Sequence, residues 1–263
     1  MSREPLIFDS HAHYDMPEFD QDRDELLRAL PEAGVCGVVN CGSSLAGSRA
    51  SVALAARYDY VYAAVGFHPE ELPAAPDAGP DALFPLLREK KVVAVGEIGL
   101  DYHKDSPRDR QLRWFEAQLT VAKEANLPVI IHDREAHADT LRLLQKYRPA
   151  GVVHYFSGSV EMAEEVLRQG MYIGLGGAVT FKNVRHALEV ADAVPLDRLL
   201  LETDAPYMAP VPFRGQRCDS SMIWHTAERI AELRHMSIPD LLQATKENAE
   251  TLFHITRTAA DEP

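Results

Sequence analysis

Six side chains of metal-ligand type lie just past five separate apolar runs of the chain. Leu6–Phe8 leads into His11 and His13, and Val92–Gly96 into Glu97. Val129–Ile131 leads into His132, Val152–Val153 into His154, and Leu199–Leu201 into Asp204. Imidazole and carboxylate cost free energy in apolar surroundings unless they are paired or bind a cation. Five such strand ends in one chain point to a shared polar centre. Histidine and carboxylate together suit zinc, manganese, iron or nickel. A pair of divalent ions can supply hydroxide at neutral pH and offset charge on a reacting phosphorus or carbonyl. The pattern therefore predicts a hydrolase built around two divalent metal ions, with Mg, Mn and Zn as candidates. His11-Ala12-His13 has the strand period of two, so both imidazoles face one side, and Asp9 shares that side.

The elements that must position these groups recur regularly. Apolar runs at Leu6–Phe8, Val35–Val39, Val61–Val65, Val92–Val95, Val129–Ile131, Gly151–Val153, Met171–Leu175 and Arg198–Leu201 read as eight strands. Most are continuous rather than alternating, as parallel strands covered on both faces are. Amphipathic stretches such as Arg108–Ala125, Ala136–Lys146 and Glu161–Arg168 lie between them. Successive candidates from His11 to Glu97, His132, His154 and Asp204 are 86, 35, 22 and 50 residues apart, which fits whole βα units of about 30 residues. The expectation is one α/β domain over residues 1–263, a single (β/α)8 TIM barrel. Its metal ligands fall at the C-terminal ends of strands 1, 4, 5, 6 and 8, the rim where barrel enzymes keep their active sites. Two helices follow the last strand, near Met222–Leu233 and Pro239–Leu252, the second capped by Ser237. Pro73–Pro80 reads as a loop, and the residues from Thr256 as a frayed polar tail.

Composition narrows the function classes. The net charge of −13 argues against a general nucleic-acid binder, though not against a nuclease with positive charge concentrated in its cleft. No apolar run approaches the about 20 residues that span a membrane. The N-terminal residues lack a signal-peptide core, so a cytoplasmic location is expected, with no membrane and no obligate protein partner. Cys36, Cys41 and Cys218 show no zinc-type spacing and read as small buried hydrophobes.

Several blocks together resemble the TatD-like deoxyribonucleases of the amidohydrolase superfamily. They are Phe8-Asp9-Ser10-His11-Ala12-His13, Gly66-Phe67-His68-Pro69, Gly96-Glu97-Ile98-Gly99-Leu100-Asp101-Tyr102 and Pro128-Val129-Ile130-Ile131-His132-Asp133-Arg134. His154-Tyr155-Phe156-Ser157-Gly158, Leu201-Glu202-Thr203-Asp204-Ala205-Pro206-Tyr207, Pro212-Phe213-Arg214-Gly215 and Asn248-Ala249-Glu250-Thr251-Leu252-Phe253 continue the match across nearly the whole chain. The resemblance implies that His11, His13 and Asp204 hold one metal, His132 and His154 the other, and that Glu97 bridges both. It implies hydrolysis of DNA phosphodiesters, at 3′ ends or in single strands, with Asp204 and Glu97 as catalytic groups. The alternative is an amide, lactone or aminoacyl ester as substrate of the same centre. Many superfamily relatives bridge their metals with a modified strand-4 lysine; Glu97 in that place favours the nuclease branch. One departure stands out: after Arg217 the family usually shows Asn-Glu-Pro, whereas this chain has Cys218-Asp219-Ser220.

Other residues are candidates for substrate contact. Arg134, Lys182 and Arg214 lie in or beside rim loops, as does Arg217, and arginine grips phosphate bidentately. His68 faces the same rim at the end of strand 3. Asp9, Asp101 and Glu202 are candidates to orient the ligand imidazoles. Ser157 reads as a helix cap or a phosphate contact. Tyr102 and Tyr207 read as packing residues or base-stacking ones. Gly174-Leu175-Gly176-Gly177 lacks the full dinucleotide fingerprint.

Overall fold

The computed structural model describes residues 6–74, 79–103, 107–182 and 184–256. Eight parallel strands form one sheet in chain order: β1 (Ile7–Ala12), β2 (Val35–Cys41), β3 (Val61–Val65), β4 (Val92–Asp101), β5 (Val129–Arg134), β6 (Gly151–Val153), β7 (Tyr172–Leu175) and β8 (Leu199–Leu201). The chain just past β8 returns to β1. Asp204 N donates to His11 O at 3.0 Å, His13 N to Ala205 O at 2.7 Å, and Ala12 bridges Ala205. The sheet thus rolls into the expected TIM barrel, and its closing contacts fall among the candidate metal ligands.

Helices α1 (Arg23–Ala29), α2 (Leu45–Arg57), α3 (Arg108–Ala125), α4 (His137–Tyr147), α5 (Val160–Arg168), α6 (Arg185–Ala193), α7 (Ile223–Leu233) and α8 (Ile238–Leu252) cover the outside. Both faces of most strands are therefore buried, which is why the apolar runs do not alternate. Ala249, Leu252 and Phe253 at the end of α8 share one hydrophobic cluster with Phe8, Ile130, Val152 and Leu200 of the strands. Ser237 caps α8 by accepting from Asp240 N, as anticipated.

Three differences from the sequence reading have local causes. Among the described residues β3 is followed by short 3-10 turns, Pro69–Ala74, Gly79–Leu83 and Leu86–Arg88, rather than an α-helix. Pro69, Pro73, Pro80 and Pro85 remove backbone donors at close intervals, which an α-helix does not tolerate. Ser157 does not cap α5; Ser159 does, accepting from Met162 N. β4 runs past its apolar start to Asp101, so Glu97 sits inside the strand rather than beyond it. The centre of the Pro73–Pro80 loop and the tail past Thr256 lie outside the described residues.

Asp9 clamps the β1–β8 seam. Its Oδ1 accepts from His11 N (3.2 Å) and Thr203 N (3.0 Å), and its Oδ2 from Thr203 Oγ1 (2.6 Å) and Ser220 Oγ (2.7 Å). All of these groups are buried. Replacing Thr203 by the isosteric valine leaves a buried carboxylate oxygen one donor short. The expected cost is about 1–3 kcal/mol of stability, the range for a buried polar group deprived of its partner, measured as a lower midpoint of urea unfolding.

Candidate metal centre

β1 delivers His11 and His13 to the mouth with their Nε2 atoms 3.0 Å apart, so they share one face as the spacing predicts. His13 Nδ1 lies 2.7 Å from Cys41 O and donates to it. That bond fixes the tautomer and leaves the Nε2 lone pair free for a cation. His11 Nδ1 lies 3.5 Å from Cys41 Sγ. Cys41 therefore touches both imidazoles, a role its reading as a plain hydrophobe missed. Its place at the end of β2, beside β1, was the available signal.

Glu97 owes its position to a bulge. Val95 pairs with Val129 and Ile98 with Ile131, so three steps of β4 oppose two of β5. The extra residue re-aims the strand and sends the Glu97 carboxylate across the barrel. Its Oε2 lies 3.4 Å from His11 Nε2 and 3.3 Å from His13 Nε2. Its Oε1 lies 2.9 Å from His132 Nδ1 and 2.8 Å from His154 Nε2. Asp204, in the left-handed region at φ 62°, brings Oδ1 to 3.6 Å from His11 Nε2 and 3.4 Å from His13 Nε2. All six predicted ligands thus converge.

These groups fit a cation by chemistry and spacing. Metal–ligand bonds of 2.0–2.2 Å in a tetrahedron separate the ligand atoms by about 3.3–3.6 Å. The distances from His11 Nε2 and His13 Nε2 to each other, to Glu97 Oε2 and to Asp204 Oδ1 run from 3.0 to 3.6 Å. On the other side, His132 Nδ1 and His154 Nε2 are 3.4 Å apart. His132 Nε2 donates to Asp101 Oδ2 at 3.1 Å, which frees Nδ1 to bind. Both His13 and His132 could thus hold a cation through the ring nitrogen nearer Glu97, Nε2 in His13 and Nδ1 in His132.

Of the three acids expected to orient imidazoles, Asp101 alone makes that hydrogen bond. Asp9 is spent on the seam. Glu202 lies 3.7 Å from His154 Nδ1, beyond hydrogen-bond reach, because it accepts from Tyr155 N and from Ser10 Oγ instead. His154 Nδ1 is buried without a hydrogen bond among the described residues. Gly174 belongs to this packing rather than to a nucleotide loop: a Cβ there would lie 2.6 Å from Glu202 Oε2.

The charges follow from the packing. Burial disfavours charge on His132 and His154. Asp101 and Glu97 outweigh it for His132, and Glu97 and Glu202 for His154, lifting them to about 9 and about 10. Burial also opposes charge on His13, yet Asp204 and Glu97 raise it well above the ordinary value. Burial and the neighbouring His154 lower His11. Burial works against ionised Glu97, but His154, His68 and His11 hold its carboxyl well below the usual range.

The predicted substrate contacts separate. His68 stands three residues past β3, not at its end, with Nε2 3.6 Å from Glu97 Oε1. Its Nδ1 accepts from Glu70 N, so Nε2 carries the proton, and burial lowers the ring to about 3. It is a neutral donor aimed at the cluster. Arg134 is exposed on the same strand face as His132, two residues on. Arg214 is exposed, its guanidinium 4.3 Å from the Phe181 ring centre. Lys182 is exposed and lines a groove with Arg185, Leu188, Asp192 and Leu233, away from the cluster's ligands. Arg217 is committed to Asp22 through paired bonds of 2.7 and 2.6 Å. Tyr102 is held by Asp139 at 2.7 Å, a packing role. In the divergent loop Asp219 caps the turn at Ser220–Met222, and Ser220 points inward to Asp9 rather than to the mouth.

Comparison with known proteins agrees with this geometry. The TatD related DNase family matches residues 8–254. The metal-dependent hydrolase YabD of Bacillus subtilis is 39% identical over 254 residues, 95% of this chain and 100% of its own. The 3′-5′ ssDNA/RNA exonuclease TatD of Citrobacter koseri is 34% identical over 260 residues, 95% of this chain and 99% of its own. The crystal structure of the TatD homologue YjjV from Escherichia coli superposes with a TM-score of 0.90 at 36% identity, covering 96% of this chain and 99% of that one. A barrel closed by the segments that bear its candidate ligands, matched end to end by such relatives, makes this chain a metal-dependent hydrolase of the TatD related DNase family.

Proposed function

We propose that the chain is an exonuclease that shortens single-stranded DNA from its 3′ end, using two divalent cations. In this reading His11, His13 and Asp204 hold one cation, His132 and His154 the other, and Glu97 both. The observation that carries it is the division of Glu97: Oε2 faces the His11–His13 pair and Oε1 the His132–His154 pair. A carboxylate shared in this way suits two dications about 3.5–4 Å apart. Four imidazoles favour manganese or zinc over magnesium, which prefers oxygen. Relatives named 3′-5′ ssDNA/RNA exonucleases at 33–34% identity support the substrate and the polarity.

When bound, the cations supply an activated water and offset charge on the phosphoryl oxygens. Asp204 is the partly exposed carboxylate of the cluster and is held ionised by His13, against its burial. It takes the proton of the attacking water. His68, fixed as the Nε2–H tautomer, donates to a non-bridging oxygen. Arg134 and Arg214 offer exposed guanidinium groups to neighbouring phosphates, and Lys182 a further charge at the outer edge.

Purified protein with Mn²⁺ should shorten a 5′-labelled single-stranded oligonucleotide progressively from its 3′ end, and chelator should stop it. Cleavage of small amides or aminoacyl esters with none of DNA would transfer the assignment to that chemistry. Glu97→Gln should retain the fold by circular dichroism yet lose metal by elemental analysis. Its rate should fall by more than about 100-fold, beyond the 10–100-fold typical of a group that merely supports a ligand. A third outcome concerns protons. In the metal-free chain His132 and His154 titrate near 9 and 10, so both are protonated at pH 7.5. Imidazoles bind metal only when neutral. Loading should therefore release protons at pH 7.5, and affinity should climb as pH rises toward 9–10, read by calorimetry in buffers of different ionisation enthalpy.

A further inference from the structure

Among the described residues three large apolar side chains stand open to solvent: Tyr207, Met208 and Val211, at 46, 38 and 44% exposure. All three belong to the loop that begins at Asp204. The loop is not loose. Tyr207 N donates to Asp204 O (2.9 Å), Val211 N to Thr180 Oγ1 (2.9 Å), and Cys218 N to Pro206 O (2.9 Å). A Cβ at Gly177 would lie 2.3 Å from Met208 O, so the segment after β7 presses directly on it. Met208 itself is held at φ 57°, which a side-chain-bearing residue rarely adopts. Apolar groups fixed outward on a rigid loop point to a ligand.

The neighbours narrow what that ligand is. The Tyr207 hydroxyl donates to Met16 Sδ at 3.3 Å, so its ring spans the loops after β8 and β1, which carry Asp204 and His13. Beyond Thr180 come Phe181 and, stacked on it, the Arg214 guanidinium. Three side chains fall far short of the about 800 Å² per partner of a stable protein interface. A chain of net charge −13 gains little from long-range attraction of a polyanion. Stacking on uncharged bases escapes that penalty, and only unpaired bases offer both faces.

We propose that Tyr207, flanked by Met208 and Val211, is a stacking platform for unpaired bases beside the metal centre, and that it makes the enzyme select single-stranded over paired ends. The proposal rests on the nuclease reading above. The test uses the full chain as wild type, Tyr207→Ala and Tyr207→Phe. Anisotropy of a labelled single-stranded oligonucleotide, measured without metal, reports binding. Shortening with Mn²⁺ is compared on a single strand, a blunt duplex and a strand ending in abasic residues. Tyr207→Ala should weaken single-strand binding by about 5- to 150-fold, the range of one base–aromatic stack, while Tyr207→Phe retains it. The preference for single strands over duplex should shrink, and the abasic strand should be cut equally by all three proteins. Unchanged binding in Tyr207→Ala, or an equal loss on abasic ends, would overturn the platform while leaving the nuclease reading intact. So would a change in the mass of Tyr207→Ala in solution with cleavage preserved, which would mark a self-association surface. A wild type that cuts no nucleic acid overturns both.

Discussion

The closure of β8 onto β1 is the constraint from which the rest follows. Both ends of the seam carry candidate ligands, so the barrel cannot shut without bringing His11, His13 and Asp204 together. Asp9 secures the closure with four hydrogen bonds, one from the backbone of His11, two from Thr203 and one from Ser220. Burial pushes its carboxyl up to about 7, against the opposing pull of those same bonds. A buried acid is thus kept for position rather than for reaction with substrate. The arrangement couples folding to the site, because the groups that lock the barrel are bonded to the segments that present the candidate ligands.

Electrostatics explains why the cluster is assembled from both acids and imidazoles. Four histidines and two carboxylates share one largely buried space. Neither kind of group could stay charged there alone. Each instead depends on the other: Glu97 lifts His132 and His154, and His154 in turn helps to keep Glu97 ionised. Around this centre Cys41 and Asp101 hold ring nitrogens in one tautomer, which sets the direction of the free lone pair. Glu202 supports the same region differently, by bonding Tyr155 N and Ser10 rather than a ligand ring.

The mouth is less uniform than its position in the chain suggests. Arg217 is neutralised by Asp22, whereas Arg134 and Arg214 remain exposed. In the loop after β8, Asp219 caps the turn at Ser220–Met222 and Ser220 joins the Asp9 clamp.

Much of this was legible from the residues alone. Continuous apolar runs gave all eight strands because parallel strands buried on both faces leave no polar alternation to read. The candidate ligands were visible because a histidine or acid at the end of such a run is out of place unless something binds it. The chain beyond β3 was less legible: its closely spaced prolines marked a loop at Pro73–Pro80 but not the short turns that replace the helix of a regular βα unit. Ser159 rather than Ser157 caps α5, a distinction of two residues that helical periodicity does not resolve. Sequence determined which groups would meet and in which fold, because both are properties of local pattern. Tertiary structure decided how they meet. The bulge that aims Glu97 both ways, the carbonyl of Cys41 behind His13 and the commitment of Arg217 to Asp22 all depend on contacts between distant segments. A contact of that kind has no period along the chain, so no reading of the chain in one dimension can contain it.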